Sequence, residues 1–97
     1  MIDEDVRKIV ELTIELILEH TNKAVESAQF VLEQQRIEPN LEAVFSYYMG
    51  YMEGSATATF IIKHKRQASH NEIVESRRLF NRRANELREA LASTLFG

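Results

Sequence analysis

The apolar residues in the first third of the chain recur every three or four positions, which is the repeat of an amphipathic helix. This repeat holds its phase along one stripe: Val6, Val10, Thr13, Ile17, His20, Ala24, Ala28 and Val31. The glutamates of the segment fall on the opposite side, which predicts a solvated face. Asp3 or Asp5 is the expected N-cap of this helix, and Thr21 and Asn22 offer a second helix start. Because the phase does not slip there, the pattern favours one continuous first helix, with a break near Thr21 as the alternative.

A second helix is predicted from about residue 40 to about residue 66, because Pro39 cannot continue a helix and suits the start of a new one. Its main apolar stripe contains Leu41, Val44, Phe45, Tyr48, Met52, Ala56, Thr59 and Ile62. The reverse side carries a line of small residues at helical spacing: Ala43, Ser46, Gly50, Gly54 and Ala58. The second helix therefore has two uncharged faces, whereas a helix in a monomeric bundle needs to bury only one.

A third helix is predicted to begin after Ser69, because Ser69 and Glu72 have the spacing of a capping box. Its apolar stripe is Ile73, Phe80, Ala84, Leu87 and Leu91. Short connections make sequential helices antiparallel neighbours. The sequence thus predicts an all-α fold, an elongated antiparallel three-helix bundle in a single domain spanning residues 1–97, completed by pairing with a second copy.

The line of small residues is the most specific feature of the chain, and it includes Gly50 and Gly54 as a G-x-x-x-G motif. Glycine inside a helix costs about 1 kcal/mol relative to alanine, so two glycines in one line indicate that another backbone approaches closely. That backbone belongs either to another helix of the same chain or to a second copy. We favour the second copy, because the main stripe already faces the core. The predicted oligomer interface contains Ala43, Ser46, Tyr47, Gly50, Tyr51, Gly54 and Ala58.

Composition excludes several classes of protein. The chain has no cysteine, which excludes disulfides, thiolate zinc sites and a cysteine nucleophile. Residues 43–62 contain three tyrosines, several hydroxyl side chains and Glu53, which is too polar for a membrane helix, so no membrane contact is expected. Asp3, Glu4 and Asp5 stand where a secretory signal would be basic, so a cytoplasmic location is expected.

Charge is distributed unevenly along the chain. Residues 1–60 carry 4 basic and 11 acidic side chains, whereas residues 61–97 carry 8 basic and 4 acidic ones. This complementarity fits packing of one part on the other, or head-to-tail association. The basic part also offers contacts to a partner or to nucleic acid, at Lys63, Lys65, Arg66, Arg77, Asn81 and Arg88. The interleaved acids and the net charge of -3 weigh against a nucleic-acid reader.

Two polar residues lie among apolar ones and invite a chemical interpretation. His20 belongs to the apolar stripe of the first helix, where a tyrosine hydroxyl or Glu53 would satisfy it. Glu53 is the one carboxylate in its span, and with Glu42 it defines the edge of the second helix that reaches water. A metal site would join His20 to Glu19 and a further carboxylate, but bundle metal sites use Glu-x-x-His pairs, which this chain lacks. We therefore expect no metal, no cofactor and no catalytic residue.

These observations predict a non-enzymatic helical protein that homo-oligomerises through its second helix and binds a macromolecular partner, with a protein as the favoured partner. A nucleic-acid-associated subunit that uses the basic turn and the third-helix arginines is the alternative. An enzyme or metal protein built on His20, Glu19 and Glu53 is the third hypothesis.

Overall fold

A computed structural model of the chain describes residues 4–97, and all the regular structure in that range is helical. The elements are α1 (Glu4–Glu19), α2 (Thr21–Gln34), α3 (Leu41–His64) and α4 (His70–Phe96). The prediction of an all-α helical bundle is confirmed. The number of helices is wrong, because the described part of the chain contains four helices where the sequence pattern predicted three.

The additional helix boundary lies at His20, whose backbone angles of φ -126° and ψ 47° depart from those of a helix. The hydroxyl of the next residue, Thr21, donates to the carbonyl oxygens of Ile17 and Leu18 at 3.0 Å. Such side-chain bonds to preceding carbonyls compete with the helical backbone pattern and bend it. The continuous first helix is therefore a wrong prediction, and the alternative break near Thr21 is correct.

The break leaves the repeat of buried positions intact, although its members differ from the predicted stripe. The buried residues are Val6, Val10, Ile14 and Ile17 on α1 and Val25, Ala28 and Leu32 on α2. Thr13 and Ala24 are only half-buried, and Val31 and His20 are exposed. Half-buried Thr21 bridges the two sets at the same spacing, so the core of α1 continues into α2.

The predicted N-cap at Asp5 is also wrong, because Asp5 lies in the first turn of α1. Its alternative, Asp3, lies outside the described residues.

α3 begins and ends as its sequence suggests. The side chain of Asn40 accepts a hydrogen bond from the backbone N–H of Ala43 at 2.9 Å, which caps the helix start. At the other end Lys65 takes a left-handed conformation with φ 59°, and its N–H donates to the carbonyl of Ile61 at 2.8 Å. The buried stripe is Val44, Tyr48, Met52, Ala56 and Phe60. Ile62, which the sequence placed in the core, is 69% exposed.

α4 begins with the predicted capping box. The Ser69 hydroxyl accepts from the N–H of Glu72 at 3.3 Å, and the Glu72 carboxylate accepts from the N–H of Ser69 at 2.9 Å. Four residues of α4 are buried: Leu79, Phe80, Leu87 and Leu91. The predicted stripe is correct for Phe80, Leu87 and Leu91, whereas Ile73 and Ala84 are only half-buried.

The four helices share one core in an elongated body of 40 × 26 × 19 Å. α3 packs against the other three helices and runs antiparallel to α1 and α2, because Lys63 near its end reaches Asp5 and Tyr48 near its start reaches Ala24. The turn at Gln67 returns α4 along α3, and Arg88 near its end lies beside Glu42. The antiparallel arrangement is thus as predicted.

Replacing Ser69 with alanine is expected to lower the free energy of unfolding by about 1 kcal/mol, because it removes one half of the capping box. Ser93→Ala, at an exposed position in the last turns of the same helix, is the matched control and should cost less. Urea unfolding of the two variants measures the difference. Equal stabilities would show that Ser69 does not cap α4.

The capping box also predicts sensitivity to acid. Hydrogen bonds from Arg66 and from the Ser69 N–H lower the pKa of Glu72 from its ordinary value of 4.5 to about 2. A carboxylate with a lowered pKa stabilises the folded state above its unfolded pKa, and this contribution disappears as the pH falls through the folded value. The melting temperature of the wild type should therefore fall more steeply between about pH 4.5 and about pH 2 than that of Glu72→Gln. Parallel slopes for the two proteins would contradict this role.

Candidate functional site

The line of small residues on α3 faces away from the bundle. Ser46, Gly50, Gly54 and Ala58 are all exposed, and only Ala43 is half-buried. A Cβ atom placed on either glycine would have no neighbouring atom within 4 Å. No helix of the described chain therefore approaches this line, and the interpretation that it packs inside the subunit is wrong.

Apolar side chains border this line. Tyr51 is 54% exposed and Ile62 is 69% exposed, and Ile61 is also exposed. Single exposed apolar residues are normal on a protein surface, whereas a group beside a bare backbone indicates a contact surface. We call this outer face of α3 the small-residue face; it consists of Ser46, Gly50, Tyr51, Gly54, Ala58 and Ile62.

The three tyrosines of α3, Tyr47, Tyr48 and Tyr51, divide between the core and the surface. Tyr48 is buried, and its hydroxyl donates to the carbonyl oxygen of Ala24 at 2.5 Å, which fastens α3 to α2. Burial raises the pKa of Tyr48 to about 12, with smaller contributions from Tyr47 and Tyr51. The rings of Tyr47 and Tyr51 contact Tyr48 edge to face, with centroid distances of 5.0 and 6.3 Å. Tyr48 is therefore structural, whereas Tyr51 belongs to the small-residue face and half-buried Tyr47 lies beside it.

The opposite charges of the two parts of the chain meet inside one subunit. Arg77 contacts Glu53 at 2.9 Å, and Arg88 forms a double hydrogen bond with Glu42. Further pairs join Arg83 to Glu15 and Lys63 to Asp5. These contacts agree with the expected packing of the acidic part against the basic part. They also explain the edge formed by Glu42 and Glu53, which lies along α4, and the hydrogen bond from Arg88 lowers the pKa of Glu42.

The residues predicted to contact a partner or nucleic acid do not form a single patch of basic side chains without carboxylate partners. Arg66 bonds to the Glu72 carboxylate at 3.0 Å, and its guanidinium lies 4.8 Å from the centre of the Phe60 ring. The Arg88 guanidinium lies in the same way over Phe45, at 4.6 Å. Lys63, Arg77 and Arg88 form the interhelical pairs described above, Lys65 ends α3, and Asn81 is exposed on α4. Most of these cations are thus paired with carboxylates of the same chain.

The proposed metal or catalytic residues are not brought together. His20 is exposed at the break between α1 and α2 and lines a groove against α3, so its placement in the core is wrong. Glu53 lines a different cleft, between α3 and α4, together with Phe60 and Glu72. Across residues 4–97, no group of three or more His, Asp or Glu side chains is arranged to hold a metal ion.

The groove beside His20 was not anticipated from the sequence. It has a volume of about 460 Å³ and lies where α1 ends, α2 begins and the tyrosines of α3 pass beneath them. Leu16, Ile17 and Ala24 contribute apolar surface, and Lys23 and Ser27 contribute polar groups. Three helices form its walls, so no repeat within a single helix predicts it. The possible helix break near Thr21 and the cluster of tyrosines are the sequence features that relate to it.

None of the helices in the described range has the length and hydropathy needed to cross a membrane.

Comparisons with known proteins add no family assignment. No family model, no curated protein and no solved structure matches the chain.

Proposed function

We propose that this protein is a non-enzymatic, cytoplasmic helical assembly protein that pairs with a second copy through the small-residue face of α3 and presents the dimer to a protein partner. The observation that carries the proposal is that this face is exposed, uncharged and bare of side chains at Gly50 and Gly54. Two glycines weaken an isolated helix, and no contact within the described chain requires them.

A second copy of the chain is the occupant that fits this face best. Symmetric dimers place the same surface of both subunits together, so two identical small-residue lines allow the two backbones to approach closely. Glu53 does not obstruct this contact, because it lies on the edge of α3 toward α4 and bonds to Arg77. Pairing therefore buries apolar and small side chains without burying an unpaired charge, which would be costly.

The paired cations favour a protein partner over a nucleic acid. Phosphate binding requires lysines and arginines that are available to replace counterions. Lys63, Arg66, Arg77 and Arg88 instead contact carboxylates of their own chain. The nucleic-acid hypothesis is tested by an electrophoretic shift with a salt titration: a shift that weakens steeply with salt would support it and contradict our proposal.

Cysteine cross-linking tests the dimer directly, because the chain contains no natural cysteine. We would introduce Gly50→Cys and Gly54→Cys separately, with Arg78→Cys at an exposed position of α4 as the matched control. A disulfide needs Cα atoms within about 7 Å, so mild oxidation links only positions that face each other. We expect a disulfide-linked dimer from at least one α3 variant and much less from the α4 variant.

One outcome of the cross-linking would contradict the proposed dimer contact. If both α3 variants form no more linked dimer than Arg78→Cys, the small-residue face does not meet a second copy. Gel filtration of the reduced variants checks that each one folds and assembles like the wild type before oxidation.

A further inference from the structure

The groove at the break between α1 and α2 has an unusual chemical lining for this chain. The chain carries 15 acidic side chains, and the helices that form the groove belong to its acid-rich part. Yet none of the carboxylates in residues 4–97 lines the groove. Its only permanently charged group is the ammonium of Lys23, and its other polar groups are His20 and the hydroxyls of serine, threonine and tyrosine.

Lys23 differs from the cations that hold the bundle together. Lys63, Arg66, Arg77, Arg83 and Arg88 each pair with a carboxylate. Lys23 has no ion pair within residues 4–97, although Glu19 and Glu26 stand four and three residues away along the chain. Lys23 is exposed and lines the groove, so its ammonium is accessible to an anion whose apolar part rests on the surface beside it.

The hydroxyl groups of the groove add to this preference. The Tyr48 hydroxyl donates a hydrogen bond to the carbonyl oxygen of Ala24, and the Thr13 hydroxyl donates one to the carbonyl oxygen of Ile9. The hydroxyls of Ser27, Tyr47 and Tyr51 have no hydrogen-bond partner in the part of the chain that the structure describes. A carboxylate accepts hydrogen bonds from an ammonium and from such hydroxyls, and those bonds are stronger than neutral ones.

The apolar surface beside these groups defines the rest of the ligand. Leu16 is 49% exposed and Tyr51 is 54% exposed, and both line the groove together with buried Ile17. The volume of about 460 Å³ lies within the range of about 300–1,000 Å³ that small-molecule sites occupy. We propose that the groove binds a small amphipathic carboxylate, whose apolar body rests on Leu16, Ile17 and the tyrosine rings and whose carboxylate meets Lys23.

This site shares Tyr51 with the small-residue face, and its other lining residues lie outside that face. The groove lies on the side of α3 that faces α1 and α2, whereas Gly50 and Gly54 face away from the bundle. The two proposals can therefore fail independently, since Gly54→Leu alters the small-residue face and leaves the groove lining unchanged.

Titration calorimetry with decanoate as the probe tests the site, with decanol as the uncharged probe of the same chain length. We expect one saturable site per chain for decanoate, with decanol bound at least tenfold more weakly. Lys23→Gln should weaken decanoate binding by about tenfold, as expected for loss of a charged hydrogen bond, and leave decanol binding unchanged. Lys8→Gln, an exposed lysine of α1 outside the groove, is the matched control and should have no effect.

A second variant tests the apolar part of the site. Leu16→Asn lies at a half-exposed position and should fold, and it should weaken decanoate and decanol binding alike by several fold. Circular dichroism of each variant confirms that it is folded before titration.

Three outcomes would overturn the proposal. The first is equal binding of decanoate and decanol, or no saturable binding below about 1 mM. The second is the same loss of affinity in Lys8→Gln as in Lys23→Gln, which would indicate a diffuse attraction to positive charge. The third is binding that occurs only in monomeric Gly54→Leu, which would show that a second copy fills the groove in the native assembly.

Discussion

Gly54→Leu is expected to convert the protein from a dimer into a monomer while most of its helix signal remains. The leucine side chain would stand between two α3 backbones that approach closely only across small residues. Within one subunit the same side chain has space, because a Cβ at Gly54 meets no atom within 4 Å. Replacing a helical glycine also removes a cost of about 1 kcal/mol, so the subunit itself should not lose stability from this change. Light scattering measures the mass, and circular dichroism measures the helix content.

A matched substitution separates this effect from a general effect of adding an apolar side chain. Glu89→Leu places a leucine at an exposed position of α4, away from the small-residue face, and should leave the mass unchanged. A Gly54→Leu variant that keeps the wild-type mass would contradict the proposed interface. A variant that unfolds would contradict the exposed position of Gly54 in the structure.

Leu91→Ala is expected to cause the largest loss of stability among single changes, about 2–5 kcal/mol of the free energy of unfolding. Leu91 on α4 is completely buried in the core shared by the four helices, so its removal leaves a cavity. Leu12→Ala is the matched control, because Leu12 is 55% exposed, and it should change stability by only about 0.5 kcal/mol. Urea unfolding at one fixed protein concentration compares the two, since the proposed dimerisation would make stability depend on concentration.

The comparison between the two leucines also tests how the last third of the chain packs. If Leu91→Ala costs no more than Leu12→Ala, the C-terminal half of α4 does not complete the core. A large effect from Leu12→Ala instead would indicate that the exposed side of α1 is covered in the native assembly.

Local signals in the sequence predicted the two turns near Pro39 and Ser69, whereas the break near Thr21 leaves the hydrophobic repeat unchanged, so the predicted number of helices was wrong. Pro39 and the Ser69–Glu72 capping box mark real boundaries, because each acts through backbone groups within three residues. The break at His20 was missed because Ile17, Thr21 and Val25 keep the three-to-four spacing across it. Hydrophobic periodicity reports which side of a helix is buried and does not report whether the backbone between two buried residues is helical.

The candidate sites differ in how far the sequence could predict them. The small residues of α3 were identified from their spacing, but their exposure depends on which side of α3 the other helices cover. Interhelical pairs such as Arg77 with Glu53 were foreseen only as a difference in charge between the two parts of the chain. The groove at Lys23 was not foreseen, because it joins residues 13–27, on both sides of the missed helix break, to tyrosines of α3 that are distant in sequence.

The mass of the wild-type protein in solution is the most direct test of the proposed assembly. The chain has a mass of 11.3 kDa, and light scattering across a range of protein concentrations distinguishes one copy from two. We expect twice the chain mass, because we propose that the small-residue face of α3 pairs with the same face of a second copy. A mass of 11.3 kDa at every concentration would contradict the central claim that this exposed face pairs with a second copy.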